Sequence, residues 1–80
     1  MKHKVIIYTT HTCTFCRQAK AFFKEHNIEY KEVDVGSNQK AAEEMVEKSG
    51  QMGVPVIEID DETVIIGFDK SALMKELDLK

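Results

Sequence analysis

Short apolar runs alternate with stretches of helical spacing along this chain. Residues 4–8, carrying Val5-Ile6-Ile7-Tyr8, are mostly apolar and β-branched and predict a buried strand. From Thr12 the period changes. Cys16, Ala19, Phe22 and Phe23 recur at helical spacing, with Arg17, Gln18, Lys20, Ala21 and Lys24 on the other side. Thr12 is the expected N-cap and Asn27 the expected stop. Residues 29–35 alternate charged and apolar positions, as an exposed or half-buried strand does. Gly36 and Ser37 break that run, with Ser37 placed to cap a second helix over about 38–49. Its apolar face is Ala41, Ala42, Met45 and Val46, and Gly50 ends it. Residues 53–59 and 62–66 are apolar runs about a turn at Asp60-Asp61, a hairpin pattern. Asp69 then caps a short last helix with Leu73, Met74 and Leu77 inward.

The order β-α-β-α-β-β-α predicts one α/β domain over residues 1–80, without repeats or linkers. A β-α-β opening requires a parallel pair with a right-handed crossover. The closing hairpin is antiparallel. The expected architecture is a four-stranded mixed sheet covered by three helices.

Composition narrows the function classes. With 80 residues, 42% apolar and 31% charged, the chain reads as an ordinary globular domain with a thin core. A net charge of −3 gives no footprint for nucleic acid. No apolar run has the length of a membrane span, and the five or so apolar residues after Met1-Lys2-His3-Lys4 are too few for a signal-peptide core. Two cysteines make no multi-bridge scaffold, so the expected location is the cytoplasm, where a lasting structural disulfide is rare.

Those two cysteines, Cys13 and Cys16, stand where the first strand passes into the first helix. A helix N-terminus offers free N–H groups and partial positive charge, which favour a thiolate at the first cysteine. His11 or Arg17 is expected to add a positive charge nearby. A second cysteine one turn on can attack a mixed disulfide formed on the first. The alternatives are metal binding and inert packing. His11, Cys13 and Cys16 together offer three metal ligands, without the fourth that a structural zinc site takes.

Three landmarks, Cys13-x-x-Cys16 after the first strand, Val54-Pro55 before the third, and Gly67-Phe68-Asp69 after the fourth, occur in order across essentially the whole chain. In this set the chain resembles the glutaredoxins. The resemblance implies a thioredoxin-like fold with strand order 2-1-3-4 and a cis peptide before Pro55. It implies Cys13 as nucleophile and Cys16 as resolving thiol. It also implies that Val54 and Pro55 offer backbone groups to an extended peptide or to glutathione, a small-scale β-augmentation. Gly67 permits close approach of a ligand. Asp69 and its neighbouring N–H groups hold the amino acid end of the γ-glutamyl group, in addition to capping the helix. Phe68 belongs to the same landmark. Phe15 offers an apolar contact to a substrate, and Tyr8 lines the groove or joins the core.

Some positions depart from the family pattern. The usual proline after the first cysteine is Thr14. A cation three residues before that cysteine is Thr10, the common threonine before Val-Pro is Gly53, and the second acid after the glycine is Lys70. His3 and His26 read as surface residues; Lys20, Lys24, Lys40, Glu43, Glu44 and Glu47 read as solvated helix faces.

The expected function is a glutathione-linked thiol–disulfide oxidoreductase. It would act as a monomer on protein disulfides and protein–glutathione mixed disulfides, with glutathione as co-substrate and no metal. Two alternatives stay open. One is a redoxin that serves ribonucleotide reductase and draws electrons from thioredoxin reductase, a resemblance suggested by Gly67-Phe68. The other is a glutathione-assisted iron–sulfur carrier using Cys13 from each of two chains.

Overall fold

A computed structural model describes residues 3–77 of the chain. The elements run β1 (Val5–Thr9), α1 (Thr14–Glu25), β2 (Lys31–Asp34), α2 (Gln39–Ser49), β3 (Val56–Ile59), β4 (Thr63–Ile66) and α3 (Lys70–Glu76). The strands form one mixed sheet in the order β2-β1-β3-β4. Parallel β1 and β2 pair with Tyr8 opposite Val33, while β3 runs antiparallel to both β1 and β4. The sheet and its covering helices are the thioredoxin-like architecture expected from the sequence.

Alternation along the strands gives the sheet two buried faces. Val5 and Ile7 of β1, Ile57 and Ile59 of β3 and Ile65 of β4 point to the face covered by α1 and α3, where they pack with Ala19, Phe22, Phe23, Leu73 and Leu77. Tyr8 and Val56 point the other way and meet Met45 of α2, with Val33, Val54 and Val64 around them. The apolar stripe of α1 is therefore as its spacing predicts, with all four of its members buried. On α2 the stripe is narrower. Ala41 and Met45 are buried, whereas Ala42 and Val46 line a shallow outer groove with Met52.

Among the described residues, the second face buries one charged side chain. Glu58 stands on β3 opposite Ile6 with only 5% of its surface exposed. Lys48, in the last turn of α2, reaches it at 3.0 Å and also donates to the Tyr8 hydroxyl at 3.3 Å. The apolar run of residues 53–59 concealed this ion pair, because its cation comes from a different element.

Several ends differ from the sequence reading by one or two residues. Cys13, not Thr12, is the N-cap of α1, and Asn38, not Ser37, caps α2 through its side-chain oxygen on the Ala41 N–H at 3.1 Å. Serine, asparagine and cysteine all have an acceptor on a short side chain, so composition does not separate neighbouring candidates. Asp69 caps α3 as expected, accepting from the Ala72 N–H at 3.1 Å. At the β3–β4 turn Asp60 and Asp61 both have left-handed φ, 55° and 58°. Asp60 is held there by the Lys4 N–H at 2.8 Å and His3 Nδ1 at 2.7 Å. Among the described residues no helix is long and apolar enough to cross a membrane.

Candidate active site

β1, an inner strand, ends at Thr9, and the turn through residues 10–13 sends the chain back as α1. The Cys13 N–H donates to the Thr10 carbonyl at 3.3 Å, closing that turn. Cys13 itself has extended backbone, φ −91° and ψ 114°, as an N-cap residue has. Its Sγ takes the place an oxygen usually fills and accepts from the Cys16 N–H at 3.1 Å. One of the helix's free amides is thus aimed at the sulfur. That amide, with the helix N-terminus behind it, is placed where it can stabilise negative charge on the sulfur.

The second landmark faces the first. The Val54–Pro55 peptide is cis, and the Val54 carbonyl lies 3.8 Å from Cys13 Sγ, which donates to it as a thiol. The third landmark is tied to the second. Gly67 has φ 79°, a conformation a side chain disfavours, and from it donates its N–H to the Pro55 carbonyl at 2.8 Å. Cys13, Val54, Pro55 and Gly67 are therefore linked in space although 54 sequence positions separate the first from the last (67 − 13).

Cys16 lies behind Cys13. Only 1% of its surface is exposed, and both cysteines are free thiols. Burial pushes the Cys16 thiol up to about 12, with the hydrogen bond to Cys13 adding to the effect. The pair is therefore asymmetric, one sulfur at the surface and one protonated in the interior. A pH dependence follows. The unfolded chain releases this proton near the ordinary thiol value of 9.0, whereas the folded chain keeps it to about 12. The stabilising contribution is fully present below pH 9 and declines as pH rises through that window. Urea denaturation should lose up to about 1.4 kcal/mol per pH unit there from this one group. Cys16→Ala should flatten the profile, leaving the decline due to lysines; an unchanged profile would refute the assignment.

The remaining residues singled out in the sequence divide between surface and core. Phe15, in the turn between the cysteines, is 60% exposed beside Cys13. Phe68 packs partly buried against α1, its ring 6.0 Å from that of Phe22 in an edge contact. Asp69 is exposed with its carboxylate on the cap of α3. Tyr8 is buried under α2 with its hydroxyl on Lys48, the core place of its two readings. His11 is exposed, and the described residues hold no group of three or more His, Cys, Asp or Glu side chains arranged for a metal ion.

Two features had no evident sequence signal. Gln51 clasps the residue before Val54: its Oε1 accepts from the Gly53 N–H at 2.6 Å and its Nε2 donates to the Gly53 carbonyl at 2.9 Å. A Cβ on Gly53 would come within 2.8 Å of that Oε1. The second feature is a polar chain that joins α1, β2 and β1. Lys20 of α1 pairs with Glu32 of β2 at 2.8 Å, and the same carboxylate oxygen accepts from the buried Thr9 hydroxyl at 2.9 Å. The Glu32 hydrogen bond pushes the Lys20 ammonium up, and Lys20 holds the Glu32 carboxyl below the usual range. Lys20 is therefore not a freely solvated helix residue; only 27% of its side chain is exposed.

Comparison with known proteins agrees with this geometry. The glutaredoxin family model matches residues 5–64. The chain is 44% identical over 69 residues to an uncharacterized glutaredoxin-like protein of 8.6 kDa from the rubredoxin operon of Clostridium pasteurianum, covering 86% of this chain and 91% of that one. It is 39% identical over 56 residues to glutaredoxin 3 of Escherichia coli strain K12, covering 70% of this chain and 68% of the relative. The glutaredoxin of Archaeoglobus fulgidus superposes with a TM-score of 0.83 at 22% identity, over 91% of this chain and 84% of that one, a likeness of fold. With a thioredoxin-like fold, a Cys-x-x-Cys pair at the start of its first helix and these relatives, the chain belongs to the glutaredoxin family.

Proposed function

We propose that this protein is a glutathione-linked thiol–disulfide oxidoreductase that reduces protein disulfides and protein–glutathione mixed disulfides. One observation carries the reading. Cys13 Sγ is half-exposed between the Cys16 N–H and the Val54 carbonyl, with a buried thiol directly behind it. Cys13 attacks the substrate disulfide along the line of the breaking S–S bond, and the substrate's first sulfur leaves. Cys16 then attacks Cys13, releasing the second sulfur and closing a Cys13–Cys16 disulfide. Two thiols of glutathione return the pair to the dithiol.

Val54 and Pro55 present their backbone to the substrate chain, and Gly67, tied to Pro55, gives access from the far side. Phe15 supplies an apolar contact at the rim. Asp69 and the N–H groups beside it receive the γ-glutamyl end of glutathione; Phe68 fixes that loop on α1. Tyr8 supports the groove from within. The enzyme works as a monomer in the cytoplasm, without a metal.

Thr10 and Lys70 favour a second reading of the electron donor. A cation is missing before Cys13, and a base stands beside Asp69 where an acid is usual, so two supports for glutathione's carboxylates and amine are altered. In that reading thioredoxin reductase supplies the electrons and the dithiol chemistry is the same. Assaying one disulfide substrate with each donor separates the two. Turnover with glutathione and glutathione reductase is the expected result. Turnover with thioredoxin reductase alone would replace the donor and leave the dithiol steps standing.

A further inference from the structure

We propose that Lys20, held by Glu32 and Thr9, is a positioning residue that eases ionisation of the buried Cys16 thiol in the resolving step. The inference rests on the dithiol reading above and adds to it the means by which the second sulfur is activated. Cys16 must give up its proton to attack, yet it is buried away from water. Lys20 is one helical turn further along α1. Residues four apart lie on one helix face, and helical side chains lean toward the N-terminus, so the Lys20 stem runs back toward the level of Cys16.

Glu32 on β2 holds the ammonium at 2.8 Å in a pair partly open to solvent, and the Thr9 hydroxyl anchors that carboxylate at 2.9 Å. Thr9 ends β1 one residue before Thr10, whose backbone favours negative charge on the Cys16 sulfur. The charged and titratable groups acting on Cys16 among the described residues are Cys13 and Lys20; Tyr30 and Glu32 face Lys20, and Asp34 adjoins Glu32. Lys20 is the cation of that set. Its charge favours a Cys16 thiolate, and Cys16 in turn favours the charged lysine.

The step balances without another reactant. Cys16 sulfur bonds to Cys13 Sγ, the bond from Cys13 Sγ to the substrate sulfur breaks with its electron pair on the substrate, and the proton from Cys16 passes to that departing sulfur directly or through water. Lys20 remains an ammonium throughout.

The test uses an aromatic disulfide whose thiolate is coloured, mixed with the fully reduced protein. The first equivalent of colour reports attack by Cys13 and the second reports resolution by Cys16. Lys20→Met keeps the stem and removes the charge. Loss of the charge lowers the thiolate fraction, partly offset by greater nucleophilicity, and predicts a resolving step about twofold slower at neutral pH. The pH dependence of that step, followed below pH 9 where the fold keeps its stability, should move toward higher pH. Lys20→Arg should restore the native profile. In a Cys16→Ser background, Lys20→Met should leave the first step unchanged. An unshifted resolving profile in Lys20→Met overturns the proposal, as does equal slowing of both steps, which marks a structural effect. Failure of the dithiol reading looks different: the native protein would release no second equivalent at all.

Discussion

Replacing Cys13 by serine should abolish thiol–disulfide exchange, leaving only the uncatalysed background. A serine hydroxyl can accept the Cys16 N–H at the head of α1, so the cap and the fold survive. The nucleophile does not survive, since an alkoxide is inaccessible at neutral pH and oxygen forms no mixed disulfide. Cys16 cannot substitute, because it is buried and holds its proton to about 12. Cys16→Ser should behave differently. It loses the second step on protein disulfides yet retains reduction of protein–glutathione mixed disulfides, where a glutathione thiol completes the reaction. Assays of both variants on both substrate types check this; residual activity in Cys13→Ser above background would remove Cys13 from its role.

Replacing Lys48 by methionine should be the most destabilising of the surface-accessible changes, at about 2 kcal/mol. Lys48→Met strands the Glu58 carboxylate in the middle of the sheet, 5% exposed and without its cation. Breaking a buried pair from one side costs about 3–5 kcal/mol. Here the lysine side chain is 39% exposed, so water and salt screen the pair and the cost is lower. For a domain whose total stability is about 5–10 kcal/mol, this is a large fraction. The reverse change, Glu58→Leu, should be near neutral, because an unpaired Lys48 can turn to water. Lys48→Met combined with Glu58→Leu should recover most of the loss, giving a clear coupling in a double-mutant cycle. Urea denaturation measures all three; a Lys48→Met variant within about 0.5 kcal/mol of the native protein would show the charge is not confined as the geometry indicates.

The fold was legible because local signals agreed with one another. The stripe Cys16, Ala19, Phe22, Phe23, the left-handed stops at Asn27 and Gly50, the Asp60-Asp61 turn and the Asp69 cap each have a local cause, and each occurs in the structure. The two apolar runs on either side of Asp60-Asp61 similarly mark the hairpin. Cap positions slipped by one residue because adjacent Thr12 and Cys13, or Ser37 and Asn38, compete on nearly equal terms. The cysteine pair and its two facing landmarks were visible as spaced motifs. What sequence could not supply were the pairings between elements. Glu58 appeared within an apolar run, Lys20 on a charged helix face, and Gln51 in an unremarked polar stretch. Each gained its meaning from a partner brought close by the sheet, respectively Lys48, Glu32 and the backbone of Gly53.

The most direct test of the central claim is the equilibrium of the native protein in graded ratios of reduced to oxidised glutathione, followed by intact mass and by mapping of the oxidised peptides. The dithiol reading predicts the loss of two hydrogens, both from Cys13 and Cys16, in a reversible two-electron transition at roughly −200 to −270 mV. A pair that does not close into a Cys13–Cys16 disulfide across that range, or one that closes only irreversibly, would contradict it.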